Sequence, residues 1–422
     1  MRIAILSQWF YPEAAGIPTH LATWLADRGH TVTVLTGFPN YPTGEIYDGY
    51  KIKALQRDQL GPIDIVRVPL IPSHSTSAVG RIANFSSFAA SAATIGVGAL
   101  GPVDVAYAYH PPATIGLPAL TLKHARGIPF LLHVQDLWPE SVVDSGMIGS
   151  SRARSAAAAV LNRSCRALYR AAGAVVTISP GLRDALVERG APTDRVSVVY
   201  NWTDEKLAPQ PRDHDLARRL GIDGEFVLMY AGNLGPFQGL DTAIRAAHAL
   251  SDLDGFRFVI VGTGIAERDL RGLTAALGAT NVTFIGRQPR SDMPRIVPLA
   301  DVHLVSLRDS PALAWTIPGK TQALLAAGQP VLLVGRGDAA ELITKSGAGW
   351  VCEPDRPTAL ASTIRRLSQM PRDVREHAGA AGRTFYQQHL SMDTGAAAIE
   401  ELLIEVRDAG THRHRGSQDG DR

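Results

Sequence analysis

The sequence predicts an α/β chain with two doubly wound domains, on three observations. Short β-branched runs alternate with longer amphipathic runs, the pattern of parallel strands covered by helices on both faces. The alternation runs twice, before and after a break at residues 201–224. With 422 residues, 45% hydrophobic and 19% charged, the chain is long enough for two or three cores at roughly 150 residues each. It is also too apolar to be largely disordered.

The opening Arg2–Leu6 run reads as a first strand; it is too short for a signal peptide and lacks a cleavage-site pattern. A helix at Gly16–Arg28 and a strand at Thr31–Thr36 follow, and Val103–Tyr109, Phe130–Val134 and Ala174–Ile178 continue the sheet. Residues 82–103 are uncharged, about the length of a membrane span. Asn84, Ser86, Ser87, Gly96, Gly98 and Pro102 interrupt them, so a buried or membrane-surface helix is expected.

Residues 1–200 form the first domain, and 201–224, with Pro209, Pro211 and Gly221, read as a linker plus a short helix. The second domain, 225–385, repeats the alternation with strands at Phe226–Ala231, Phe256–Val261, Val282–Ile285, Val302–Ser306 and Val331–Val334. A last helix is expected at 386–408, and the polar tail 409–422 is expected to be disordered.

Charge and cysteine content exclude several classes. A formal net charge of +2 argues against a general nucleic-acid binder. Cys165 and Cys352, far apart, form neither a disulfide scaffold nor a zinc ribbon, and suit a reducing cytoplasm. Residues 1–200 carry net +4 and the rest −2. Arg163, Arg166 and Arg170, spaced i, i+3, i+7, share one helix face. That face is either simply solvated or a contact for anionic phospholipid or phosphate.

The candidate site residues sit at strand–helix junctions, where doubly wound domains bind ligands and free helix N–H groups favour anions. Gly16 opens the first helix. Gly232, Asn233, Gly235, Gln238 and Gly239 form a glycine-rich loop after a strand, and Gly262 and Gly264 a second, with backbone suited to approaching an anion. The spacing is not a dinucleotide fingerprint. Lys320, followed by Thr321 and Gln322, enters a helix at its N-terminus, where the dipole disfavours a cation unless a bound anion offsets it. Lys320 is therefore read as a diphosphate partner. His110 follows a strand and can hydrogen-bond a sugar or carry a proton, or simply pack. Asp136 follows the next strand and can orient an acceptor hydroxyl, stabilise developing charge, or cap a turn. Asp213-His214-Asp215 looks like an acidic metal motif but falls in the linker and is discounted.

Together these residues resemble the retaining glycosyltransferases of family 4, with the GT-B fold. The segments Ser7–Glu13, Leu35–Pro42, His110–Thr114, Gln135–Glu140, Tyr200–Trp202 and Gly319–Gln322 resemble the narrower WbuB/WcaI-like group of surface-polysaccharide transferases. The resemblance covers all but the tail. It implies two Rossmann-like domains facing across a cleft, the first binding acceptor and the second a nucleotide-diphospho-sugar, most often UDP-linked. It also implies that the last helix crosses back to the first domain. No metal is implied, because helix dipoles and side chains stabilise the leaving diphosphate. By motif position, Gly16 approaches the donor phosphate, His110 the transferred sugar, and Gly264 and Arg287 the nucleotide. The acceptor is expected to be polyprenyl-linked, and the enzyme peripheral at the cytoplasmic face of the membrane. The sugar is expected to be of N-acetylated deoxyhexosamine type. The chain departs from the family where an Arg and a Lys give way to Asn233 and Gln238, and where two glutamates give way to Trp315 and Ala323. Two alternatives follow from the departures and the fold: a non-catalytic nucleotide-sugar-binding subunit, and a nucleotide-sugar epimerase.

Overall fold

The computed structural model describes residues 1–73, 78–138, 151–204, 209–222 and 224–418. The chain divides into two compact units, Met1–Tyr200 with Asp393–Arg422, and Asn201–Met392.

Unit 1 is built on an eight-stranded sheet: β1 (Arg2–Leu6), β2 (Thr31–Gly37), β3 (Gln56–Leu60), β4 (Ile63–Val68), β5 (Val105–His110), β6 (Phe130–Val134), β7 (Ala174–Thr177) and β8 (Val196–Val198), in the order β3-β4-β2-β1-β5-β6-β7-β8. All neighbours are parallel except β3, which is antiparallel to β4. The central strands are mostly apolar and almost wholly buried because helices cover both faces. The β3 strand, Gln-Arg-Asp-Gln-Leu, carries no apolar alternation and is absent from the sequence-based expectation. Its place is electrostatic: Asp58 accepts from Arg67 of β4 at 2.6 Å, and Arg67 is only 1% exposed. A buried guanidinium needs a counter-charge, and the polar edge strand delivers one.

The uncharged stretch forms α2 (Ala78–Ser91) and a π-turn, Ala92–Gly96, which follow α1 (Gly16–Asp27). Val79–Ala99 is long and apolar enough to cross a membrane by composition. Its inner face nevertheless lies in the core, with Phe88, Ala89, Ala92 and Val97 buried. Gly96 packs so closely on Leu35 that a Cβ would sit 2.5 Å from that side chain. The remaining helices of this stretch are α3 (Gly116–Arg126), α4 (Ser151–Ala171) and α5 (Pro180–Glu188).

Unit 2 has six parallel strands, β9 (Phe226–Ala231), β10 (Phe256–Val261), β11 (Val282–Gly286), β12 (Val302–Ser306), β13 (Val331–Val334) and β14 (Gly349–Cys352), in the order β11-β10-β9-β12-β13-β14. The segment read as a linker belongs to this unit. Its helix α6 (His214–Leu220) and Ile222 close one face of the sheet, Ala217 and Ile222 packing with Val227, Met229 and Val259. Four apolar positions hidden among charges, Leu216, Ala217, Leu220 and Ile222, are what the polar composition concealed. Asp213 caps this helix by accepting from the Leu216 N–H at 2.9 Å and pairs with Arg295 at 2.8 Å; its role there is capping. The opposite face is covered by α7 (Leu240–His248) and α8 (Glu267–Leu277), then α9 (Gly319–Ala326), α10 (Asp338–Ser346) and α11 (Pro357–Ser368) complete the series.

The end of the chain differs from expectation. In place of one helix at 386–408 there are two, α12 (Arg372–His389) and α13 (Met392–Gln418). The second belongs to unit 1. The Trp24 indole N–H donates to Asp393 at 2.8 Å, Arg28 and His30 bind Glu400, and Val406 fills the space over Gly173. The helix continues past 408 to Gln418, although 409–422 was expected to be disordered. Once a turn is anchored by packing, each further residue adds a hydrogen bond without a new nucleation cost. Residues 419–422 lie outside the described residues.

Candidate active site

In unit 2 the glycine-rich loop after β9 and the loop after β10 cross. The Gly232 N–H donates to the Val261 carbonyl at 2.9 Å and the Leu234 N–H to the Thr263 carbonyl at 3.0 Å. The crossing requires glycine. A Cβ on Gly262 (φ +137°) would lie 1.9 Å from the Gly232 oxygen, and one on Gly264 would lie 2.3 Å from the Leu234 oxygen. Gly262 and Gly264 therefore serve backbone-to-backbone approach. Beyond them opens a pocket of about 420 Å³ lined by Ala231, Gly232, Asn233, Val261, Gly262, Thr263, Arg287, Gln288 and Met293. Four residues chosen from sequence, Gly232, Asn233, Gly262 and Arg287, meet there.

Lys320 stands in the first turn of α9 and reaches the same loop. Its Nζ lies 3.5 Å from the Tyr230 ring centroid, and a Cβ on Gly232 would lie 2.6 Å from that nitrogen. Nζ is out of solvent and has no hydrogen-bond partner among the described residues, as is Thr321 Oγ1. Burial lowers the Lys320 pKa from 10.5 to about 7. A desolvated ammonium held only by a π-face is poised for an anion.

Other residues chosen in this unit hold the loop. Gln238 accepts from the Gly235 N–H at 3.0 Å, which closes the turn ahead of Gly239 (φ +56°). Buried Gln322, with its amide nitrogen toward the Pro318 and Gly319 carbonyls at 2.8 and 3.3 Å, braces the start of its own helix. One end of each amide is thus engaged within the protein. Sequence reasoning missed Arg308, which follows β12 and pins the turn by donating to the Pro236 carbonyl at 2.8 Å, Asp241 at 2.6 Å and Asp355 at 3.2 Å. Two aspartates already balance this cation, whereas Lys320 has none.

In unit 1, Gly16 begins α1, a helix with no capping side chain and no acidic residue in its first turn. A Cβ there would make only ordinary contact, 3.6 Å from His20. His110 is the last residue of β5, fully buried, with neither ring nitrogen hydrogen-bonded among the described residues. Burial lowers its pKa to about 4. It is a neutral imidazole at pH 7, which fits hydrogen bonding rather than proton carriage. Its neighbour His133 is occupied, Nδ1 2.5 Å from the Tyr107 hydroxyl and Nε2 2.9 Å from the Gln135 amide nitrogen. Asp136 is exposed, yet the surrounding protein still desolvates its carboxyl and raises its pKa. Pro139 and Glu140 of the same motif lie outside the described residues.

Trp138 packs edge-on against His110, with centroids 6.1 Å apart, and Phe85, Trp9 and Tyr41 extend this wall. The wall is set by Glu13, a buried carboxylate missed from sequence. It accepts the N–H groups of Phe10, Asn40 and Tyr41 at 3.2, 2.7 and 2.8 Å, joining the loops after β1 and β2. Burial still raises its pKa. Its place in Tyr-Pro-Glu was the available signal.

All three arginines, Arg163, Arg166 and Arg170, are exposed; Arg166 also donates from Nε to the Arg189 carbonyl at 3.0 Å and packs over Gly190 beyond the end of α5.

Family profiles match both halves of the chain. The family described as "Glycosyl transferase 4-like domain" matches residues 17–202, and "Glycosyl transferases group 1" matches residues 225–370. Over 392 residues the chain is 27% identical to WcaI of Escherichia coli (strain K12), a glycosyl transferase whose name provisionally places it in colanic acid biosynthesis. That match covers 88% of this chain and 93% of the other. Among solved structures, sucrose-phosphate synthase from Thermosynechococcus elongatus superposes with a TM-score of 0.69 at 18% identity, covering 97% and 99% of the two chains. Anabaena HepE in complex with UDP-glucose gives 0.67 at 17%, covering 96% and 99%. At these identities the structural likeness speaks to the fold.

Proposed function

Because both of its halves place the chain in the family 4 glycosyltransferases, it is a glycosyltransferase, and we propose that it transfers its sugar with retention from a UDP-linked donor. The proposed acceptor is a lipid-linked precursor of a surface polysaccharide, met at the cytoplasmic face of the membrane. The observation that carries this reading is Lys320, an ammonium out of solvent and without an anionic partner beside the glycine-rich loop.

In this reading unit 2 holds the nucleotide diphosphate. Lys320 takes the diphosphate as a charge-assisted partner and stabilises it as it leaves. No metal is assigned to that role. Arg287 and Gln288, at the pocket rim, face the nucleoside. Neutral His110 in unit 1 hydrogen-bonds the sugar. The Asp136 carboxyl stabilises positive charge on the sugar ring. The name of one relative, WcaI, provisionally placed in colanic acid biosynthesis, supports the acceptor class.

The test is a nucleotide-sugar panel with the full chain, read by thermal shift and then by UDP release with and without membrane lipid extract. A ligand that binds the native state raises Tm. Stabilisation by one UDP-sugar, with UDP release that depends on lipid, is expected. Stabilisation without release under any condition sinks the lipid-acceptor reading.

A further inference from the structure

In unit 2 a single side chain touches both the lone ammonium and the glycine-rich loop. It is Tyr230 of β9, fully buried. The Lys320 Nζ sits 3.5 Å from the centroid of its ring. Its hydroxyl donates to the Asn233 carbonyl, three residues on in the loop, at 2.6 Å. Gly232 lies between these two contacts. A Cβ there would stand 2.6 Å from Nζ, 3.1 Å from Cε and 3.5 Å from the Tyr230 hydroxyl oxygen. The ammonium thus occupies the space that Gly232 leaves by having no side chain. Gly232 and Asn233 also line the pocket, so what Tyr230 holds stands at the pocket wall.

The Lys320 Nζ has no hydrogen-bond partner among the described residues, so the ring face is what offsets its lost water. The ring quadrupole favours the charged amine, and more strongly as water is excluded. Burial acts in the opposite direction and takes the pKa from 10.5 to about 7. The neighbouring groups bring no counter-charge. His303 of β12 donates from Nε2 to the Val297 carbonyl at 2.9 Å, and burial holds its pKa at about 4, so it is neutral. The Tyr230 phenol is neutral too, since burial raises its pKa. Thr321, next on α9, carries only a hydroxyl. Arg383 of α12 meets the far end of α9, at the Ala326 carbonyl.

We propose that Tyr230 is a positioning residue for the donor diphosphate: its ring holds the Lys320 ammonium at the pocket wall, and its hydroxyl fixes the loop that carries Gly232 and Asn233. The proposal rests on the nucleotide-sugar reading above. An anion entering the pocket then meets a cation and a loop that need little further ordering. The two parts of the role separate chemically. Phenylalanine keeps the ring face and drops the hydroxyl, whereas leucine drops both.

Binding of UDP and of inorganic pyrophosphate is measured by calorimetry for the full chain and for Tyr230→Phe, Tyr230→Leu and Lys320→Met. The span is about pH 6 to 9, where the amine titrates. Lys320→Met lacks the amine, so its profile subtracts the titration of the ligand itself. Wild-type affinity is expected to decline above about pH 7. In Tyr230→Leu the decline should begin about one pH unit lower, a loss of about fivefold at pH 7 from that shift alone. Tyr230→Phe should keep the wild-type midpoint and bind about threefold more weakly at every pH, because only the loop is loosened. A merely structural role would weaken binding at every pH in both variants and move neither midpoint. A Tyr230→Leu midpoint at or above that of wild type overturns the proposal, and so does a Tyr230→Phe midpoint that falls as far as that of leucine.

Should Tyr230→Leu not fold, the ligand-free wild type supplies the test. With lysine labelled at Cε, the Lys320 resonance is the one absent from Lys320→Met. It should lie upfield of the other lysines through the ring current and titrate near pH 7, and Tyr230→Phe should keep both features. A resonance at the ordinary lysine position, or one titrating near 10.5, overturns the proposal. Pyrophosphate binding with this pH pattern, but no binding of UDP, upholds the role of Tyr230 and removes the uridine reading. Binding of neither breaks both.

Discussion

The loops beyond the central strands of the two units are held by opposite means. After β1 in unit 1, a side chain does the holding: the Glu13 carboxylate gathers three backbone N–H groups from two loops. After β9 in unit 2, backbone holds backbone, and Gly262 and Gly264 let two loops cross at distances a Cβ would forbid. The Glu13 clamp joins two loops, and Trp9 and Tyr41, carried on them, pack in a row with Phe85 and Trp138. In unit 2 the close backbone approach lines a pocket, with the unpaired Lys320 cation beside Gly232. The first arrangement builds a shaped aromatic surface. The second leaves a cation suited to an anion.

The largest expected effect tests the crossing. Gly262→Ala combines a strained φ with a steric clash against a carbonyl that cannot move alone, costing about 4 kcal/mol. Thermal unfolding should show a large drop in Tm; a variant as stable as wild type would mean the crossing is not the support claimed for it.

Glu13→Ala tests the other device. Three buried N–H groups lose their acceptor, at about 3 kcal/mol in all. Unit 1 should be destabilised and the fluorescence of Trp9 altered, while UDP affinity holds. A change in UDP affinity with no loss of stability would contradict the division of labour between the units.

Lys320→Met is predicted to act in two directions. UDP binding should weaken by about 1.5–3 kcal/mol, the range for a charge-assisted hydrogen bond. Stability of the ligand-free chain should rise instead. The fold lowers the Lys320 pKa from 10.5 to about 7, so its favourable contribution is present above 10.5 and is lost as pH falls through about 7. The gain in Tm over wild type is thus greatest below pH 7 and closes toward pH 10.5. Wild-type UDP affinity should decline above about pH 7 as the ammonium deprotonates, and the variant should not share that decline. Equal pH profiles by calorimetry would refute the role.

The smallest effect is expected at Asp213→Ala, an N-cap on α6 away from both loops. About 1 kcal/mol should be lost in thermal unfolding, with donor and lipid kinetics unchanged. Metal-dependent activity abolished by this change would reverse the reading of Asp213 as a cap.

Much of the sheet was legible, because strands buried on both faces read as continuous apolar runs: Phe226–Ala231, Phe256–Val261 and Val302–Ser306 match the structure residue for residue. The boundary after Tyr200 was legible too, from the change in composition. The edge strand β3 was not, since its partner is a buried arginine rather than an apolar face. In the site, Lys320 stood out because a cation opposes the helix dipole at its position. The loop-holding bonds of Gln238 and Gln322 were not legible, since a glutamine's type says that it makes hydrogen bonds and nothing about with whom.

The amino-acid sequence by itself determined two parallel-sheet domains, their glycine-rich strand–helix junctions, and the family. These depend on local periodicity and short motifs, which act over a few residues. Only the tertiary structure decided which polar groups are already satisfied and which are not. It spent Gln238, Gln322 and Arg166 on internal partners and left Lys320, His110 and the Gln8 oxygen without them. Hydrogen-bond partnership depends on distances of about 3 Å between atoms far apart in the chain, and those distances exist only once the sheets have formed.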